Sequence, residues 1–150
     1  MGAFEAFLIG GLAGGGGALV VFLVWASTAK GRSLAIFHVT GRSSSQVLQT
    51  AQSYLVQNEM RIRSIDDGIA GEEGSEWATG VRVLEVRARD REGGADVRVD
   101  AYIRGFFPKE ISLDPSAFFG MVPRRKGLRL AQGLAVSLGA PGAPWQHRRG

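Results

Sequence analysis

The stretch Val97-Arg-Val-Asp-Ala-Tyr-Ile-Arg104 decides the fold class, because apolar and polar side chains alternate along all of it. In an extended strand, such alternation places the two kinds of side chain on opposite sides. The apolar side holds Val97, Val99, Ala101 and Ile103, and the polar side holds Arg98, Asp100, Tyr102 and Arg104. The sequence therefore predicts a sheet with one covered face and one face that is charged and solvated.

The residues before this strand predict its antiparallel neighbour. Arg91-Glu-Gly-Gly-Ala95 contains the glycines that a tight hairpin needs, and residues 81–89 form the preceding strand. Arg87 and Arg89 can then face Asp100 across the hairpin. We expect weak ion pairs at the protein surface from these residues.

The remaining elements follow from hydrophobic periodicity and from capping residues. The predicted elements are a strand at 34–40, a helix from 43–45 to about 59, a strand at 60–65, a polar loop at 66–80 with at most a short edge piece near Ile69, and a last helix that ends at 139. The predicted class is α+β with the order β-α-β-β-β-α, an antiparallel-rich sheet and both helices on its apolar face. Residues 34–139 form this domain, 30–33 form a linker, and 140–150 form a disordered tail.

Residues 6–29 carry no charge over 24 positions, and we expect residues 1–29 to form a single transmembrane anchor. A helix of that length spans about 36 Å, enough for a hydrocarbon core of about 30 Å. Lys30, Arg32 and Arg42 follow the apolar run, whereas Glu5 precedes it. The positive-inside rule then predicts an external N-terminus and a cytoplasmic domain at the cell membrane.

Small residues on adjoining faces of the predicted anchor favour close helix packing within the bilayer. These residues are Gly10, Gly11, Gly14, Gly15, Gly17 and Ala18. The pattern predicts a protein partner, or a second copy of the chain, bound through the helix. The alternative is a loosely built anchor, because such spacing arises readily in helices rich in glycine and alanine.

The densest basic cluster consists of Arg124, Arg125, Lys126 and Arg129, at the start of the last helix. Free backbone N–H groups and the helix dipole also favour an anion there. The cluster predicts a weak site for anionic lipid, with nucleic acid the less favoured ligand. The alternative is a solvated helix start without a ligand.

Other site chemistry is not indicated. The chain has no cysteine, and its histidines, His38 and His147, stand apart from any serine and carboxylate arrangement. The acidic residues between 66 and 76 fit no calcium-binding loop. We therefore expect no metal, no cofactor and no catalytic residues.

The leading functional hypothesis is a non-enzymatic, single-pass membrane-anchored interaction module, an accessory subunit or scaffold with a cytoplasmic domain. One alternative is binding of anionic lipid or nucleic acid through the basic cluster. Another is a membrane-anchored enzyme whose site the sequence does not display.

Overall fold

The computed structural model describes residues 31–75, 80–105, 110–114 and 121–149. The predicted anchor, with its packing residues Gly10, Gly11, Gly14, Gly15, Gly17 and Ala18, lies outside the described residues. Within the described part of the chain, no helix is long and apolar enough to span a membrane.

Nine elements make up the described residues, in the order β-α-β-β-β-β-β-α-β. They are β1 (Gly31–Thr40), α1 (Ser44–Gln57), β2 (Arg61–Ile65), β3 (Gly68–Ser75), β4 (Gly80–Arg91), β5 (Gly94–Arg104), β6 (Glu110–Ser112), α2 (Met121–Ser137) and β7 (Gln146–Arg149). The mixed α+β class, the antiparallel sheet and the two helices are therefore confirmed.

The strands form one antiparallel sheet in the order β2-β3-β4-β5-β1-β7, and β6 extends the edge of β5 beyond β1. Val99 of β5 lies opposite Val86 of β4 on one side and opposite Ala35 of β1 on the other. Directly paired residues share a face of the sheet. The predicted apolar side of β5 is thus one row of a continuous apolar face.

Both helices bury their apolar residues against this face. Leu55 of α1 and Leu134 of α2 belong to the same hydrophobic cluster as Leu84 and Val99 of the sheet. The helices also contact each other: the Tyr54 hydroxyl donates to the carbonyl of Leu130 at 2.9 Å. Gly133 makes this approach possible, because a Cβ at that position would collide with the Tyr54 hydroxyl.

Helix α1 begins where the sequence predicts and for the predicted reason. The Ser43 hydroxyl accepts from the N–H of Gln46, and the Gln46 side chain accepts from the N–H of Ser43, which completes a capping box. Asp90 of β4 accepts from the N–H of Ser44 at 2.6 Å. A carboxylate at a helix N-terminus is favoured electrostatically, so this bond joins α1 to the β4–β5 hairpin.

Three predictions about the irregular segments were wrong. Most of the linker 30–33 belongs to β1, the polar loop 66–80 contains β3 over eight residues, and the tail 140–150 contains β7. β7 pairs with Gly31–Leu34 of β1, and Trp145 packs against the core. The start of β1 and β7 pair with each other across most of the chain, whereas β3 pairs with its neighbours along the chain, β2 and β4. In all three segments backbone pairing makes the strand, and the side chains carry little strand pattern.

Candidate functional site

The face of the sheet opposite the helices, here called the outer face, is lined by arginines and carboxylates. The register places the side chains of these residues on that face: Arg32, Arg61, Arg63, Glu72, Glu85, Arg87, Arg89, Arg91, Asp96, Arg98, Asp100, Arg104, Glu110 and Arg148. Opposite charges adjoin one another across most of it. The outer face is the largest group of charged side chains in the described part of the chain.

Glu85 and Asp100 form the centre of the outer face. They are cross-strand partners in β4 and β5, an arrangement that is unfavourable for two like charges. Arg87 offsets it by contacting both, at 3.0 Å from Glu85 and 3.2 Å from Asp100. Arg98 also donates to both oxygens of Asp100, through Nε at 2.8 Å and Nη2 at 3.0 Å. This fork-to-fork geometry is the strong form of an ion pair.

Arg32 and Tyr102 extend the centre toward β6. The Tyr102 hydroxyl donates to Glu85 at 2.8 Å, and the Arg32 guanidinium lies 4.2 Å from the centroid of the Tyr102 ring. Arg32 also donates to both oxygens of Glu110, at 2.7 and 2.8 Å. Burial, together with the hydrogen bond to Glu85, raises the pKa of the Tyr102 hydroxyl well above its ordinary value. Tyr102 therefore stays protonated and keeps donating.

The centre of the outer face is not solvated, contrary to the sequence-based expectation. Asp100 is 1% exposed, Tyr102 4% and Glu85 5%, and Val81 and Val83 form a small buried cluster with Tyr102. Long arginine side chains lie over short carboxylates, so the charge stays while the water is excluded. The pair of Arg87 with Asp100 was correctly predicted, but it is buried at the Asp100 end. Arg89 pairs with Asp67 instead, at 2.7 Å.

The predicted basic cluster at the start of α2 does not converge on one site. Arg124 is 2% exposed and donates to the carbonyl of Asp114 at 3.2 Å. Burial lowers the pKa of its guanidinium, with the Asp114 carboxylate opposing that effect. Arg125, Lys126 and Arg129 are exposed. Arg125 and Arg129 are four residues apart and so share a helix face.

Lys126 is held by a carboxylate on the sheet. Its Nζ lies 2.7 Å from Glu73 of β3, which also pairs with Arg82 at 2.9 Å. The hydrogen bond from Arg82 lowers the pKa of the Glu73 carboxyl below its ordinary value; burial opposes this effect and Lys126 adds to it. The start of α2 is thereby attached to the side of the sheet that bears the helices.

One end of the sheet collects these cations, and it is the end at which the chain enters the domain. β1 begins there at Gly31, because Ser33 pairs with Ala101, and Ala101 pairs with Leu84 near the start of β4. β7 and the start of α2 reach the same end. The basic end is defined by Arg32, Arg82, Arg104, Arg124, Arg125, Lys126 and Arg148, with Glu72, Glu73, Glu110 and Asp114 among them.

The histidines have structural partners. His38 lies 2.9 Å from Asp96, and Nδ1 of His147 lies 2.7 Å from the Ser33 hydroxyl. The Ser33 hydroxyl is fully buried and also accepts from the N–H of Leu113 at 2.8 Å, so it joins β1 to β7 and to the end of β6. The serine–histidine contact is therefore part of a packing junction between three strands.

No constellation for metal binding is present among the described residues, and the acidic segment divides between two surfaces. Glu72 and Glu73 point to opposite faces of β3, as successive strand residues must. Glu72 pairs with Arg63 and Arg104, at 3.1 and 3.2 Å. An open groove of about 420 Å³ lies beside the polar face of α1 and is lined in part by Arg42, Gln49 and Ser53.

Comparisons of the chain with protein-family models, with curated proteins and with solved structures found no match. Function therefore has to be inferred from the geometry of the described residues alone. What that geometry offers is an ion-paired outer face and a basic end.

Sequence reasoning missed the roles of Arg32 and Glu85. Arg32 falls in what was predicted to be the linker, and Glu85 directly follows the apolar pair Val83-Leu84, which interrupts the alternation along β4. The alternation of Arg98, Asp100 and Tyr102 was the available signal. Applying the same alternation to β4 would have placed Glu85 and Arg87 beside them.

Proposed function

We propose that the chain is a non-enzymatic, single-pass membrane-anchored interaction module, with its basic end toward the bilayer. The observation that carries the proposal is the position of Gly31. The chain enters the domain at the end where Arg32, Lys126 and Arg148 also lie. An anchor in residues 1–29 would hold those cations beside lipid head groups.

The electrostatic consequence follows from tethering. A domain attached to a membrane samples the adjacent surface at high effective concentration, so even weak attraction orients it. Each Lys or Arg near an anionic surface contributes about 1 kcal/mol, and the effect fades within a Debye length. Arg125 and Arg129 are the exposed pair in the predicted cluster that could contact anionic lipid. Arg124 is buried and serves the fold.

The interaction role rests on α1, which begins at the end of the sheet opposite the basic end. Much of the solvent side of α1 consists of glutamine, serine and threonine, and the helix has no charged residue between Ser44 and Gln57. Depletion of charge is typical of the centre of protein interfaces. A domain oriented by its basic end would present this helix to a partner.

The test is crosslinking of the full chain in native membranes, followed by extraction in mild detergent. We expect the chain in the membrane fraction and a defined crosslinked partner or homo-oligomer. The paired substitution Gly10→Leu and Gly14→Leu should reduce that adduct about fivefold or more, because leucine blocks close helix approach.

Gly16→Leu is the matched control, since position 16 lies on the opposite face of the predicted helix. It should leave the adduct unchanged. If full-length chain is soluble without detergent, the anchor is refuted. If Gly10→Leu with Gly14→Leu has no more effect than Gly16→Leu, packing through the glycines is refuted.

A further inference from the structure

The two edges of the sheet are built differently. β2, at one edge, has five residues and includes Arg61 and Arg63, both exposed. Short length and charged side chains are the usual protection of an edge against pairing with another chain. β1, near the other edge, lacks that protection: residues 35–40 contain no Arg, Lys, Asp, Glu or Pro.

Much of the edge of β1 that faces away from β5 is open. β7 pairs only with Gly31–Leu34, and no other strand among the described residues pairs with that edge of residues 35–40. Ile36, at the middle of this stretch, is 58% exposed, whereas Ala35 and Val39 on the helix side are buried. The open edge therefore combines free backbone pairing with an exposed aliphatic side chain, which is the composition of a strand that receives another strand.

We propose that the open edge of β1 pairs antiparallel with the same edge of a second copy of the chain. Gln146 of β7 closes one end of the open edge, and the turn at Gly41 closes the other. Residues 35–40 lie between them, a length of about 20 Å. A long foreign strand would collide with β7, whereas a second β1 is bounded by the same two features.

Charge also favours a second copy. The outer face and the basic end carry many arginines, so two copies repel each other over those surfaces. Residues 35–40 carry no formal charge when His38 is neutral. They are a stretch along which two identical chains can approach without bringing like charges together.

The two-fold axis sets the register. If the axis is normal to the sheet, the helices of both copies stay on one side, and each residue must pair with one on its own face. An axis that passes between the Phe37 residues of the two copies satisfies this rule within the open edge. Phe37 then faces Phe37 of the other copy, Ala35 faces Val39, and Ile36 faces His38.

The absence of cysteine makes the register measurable with introduced thiols. Full-length chains bearing Ile36→Cys and His38→Cys, with different tags, are mixed in mild detergent and oxidised. Opposed residues in an antiparallel pair have Cα separations of about 4.5–5.5 Å, within the range that a disulfide bridges. We expect the mixture to give a heterodimer, and each variant alone to give about fivefold less dimer.

Two further variants check the same register independently. Phe37→Cys should form a homodimer alone, and adding Ile36→Lys should reduce its yield about fivefold, because a charge protects an edge. Gln52→Lys, on an exposed position of α1, is the matched control and should not reduce it. Contacts through the predicted anchor alone would link the single variants and the mixture equally, which would overturn the proposal. Crosslinking only to a protein of another mass would also overturn it.

Discussion

The helix face of the sheet and the centre of the outer face are both shielded from water, but by different chemistry. On the helix face, Leu84 and Val86 pack under aliphatic side chains of α1 and α2. On the outer face, their neighbour Glu85 lies under Arg32 and Arg87. Apolar burial stabilises directly, whereas burial of an ion pair recovers roughly what desolvation costs. The helix face therefore supplies most of the stability of the domain, and we infer that the outer face mainly favours one strand register over others.

The largest expected loss of stability comes from a substitution that leaves a cavity on the helix face. Leu84→Ala should lower the free energy of unfolding by about 2–5 kcal/mol, because the removed methyl groups leave a space that neighbouring side chains only partly fill. Chemical denaturation of the full chain in mild detergent, followed by circular dichroism, measures it. Leu84→Met is the volume-conserving control and should cost less than about 1.5 kcal/mol. A loss for Leu84→Ala no larger than for the control would contradict a tightly packed helix face.

The next largest effect is expected from a substitution that removes a charge from the centre of the outer face without changing its shape. Asp100→Asn should lower the free energy of unfolding by about 1–3 kcal/mol, because Arg87 and Arg98 lose their shared carboxylate in a buried site. Asp67→Asn removes the equivalent charge from the exposed pair with Arg89, and should change it by less than about 0.5 kcal/mol. Equal effects of the two substitutions would show that the outer face is a solvated surface after all.

The smallest effect concerns pH and tests Glu73. Its pKa is below the ordinary value of 4.5, so the unfolded chain takes up a proton before the folded one does. The stability that Glu73 contributes is fully present at a pH above that ordinary pKa, and it is lost as the pH falls through the lower pKa of the folded state. Glu73→Gln should therefore flatten the decline in thermal midpoint below about pH 4.5. Glu92→Gln, in the exposed β4–β5 turn, is the control and should leave the decline unchanged.

The regular elements with strong local signals could be predicted from sequence. The alternation in β5 identified its two faces, and the serines before α1 identified its N-terminus; both agree with the structure. α2 ends at Ser137, two residues before the predicted end at 139, and the N–H of Leu138 still donates to the carbonyl of Leu134. Each of these signals is contained within a few consecutive residues, so no knowledge of the fold was needed.

The candidate site was less accessible to prediction. Arg124 and Arg125 are adjacent in sequence and chemically identical, yet one is buried at 2% exposure and the other is exposed. Their helix phase and the position of Asp114 separate them. Likewise, Gln146 and His147 carry no strand pattern, and they become part of the sheet only because the start of β1 provides a backbone partner.

The sequence by itself determined the α+β class, the polarity of the central strands and the position of the first helix, because these depend on side-chain periodicity and capping over short distances. Among the described residues, the tertiary structure alone decided which charges are buried, how residues 31–34 and 146–149 join the sheet and which edge is open. Those properties depend on contacts between residues far apart in the chain, such as Arg32 with Glu110 and Ser33 with His147. A desolvated ion pair or an open edge exists only once the strands have been placed side by side.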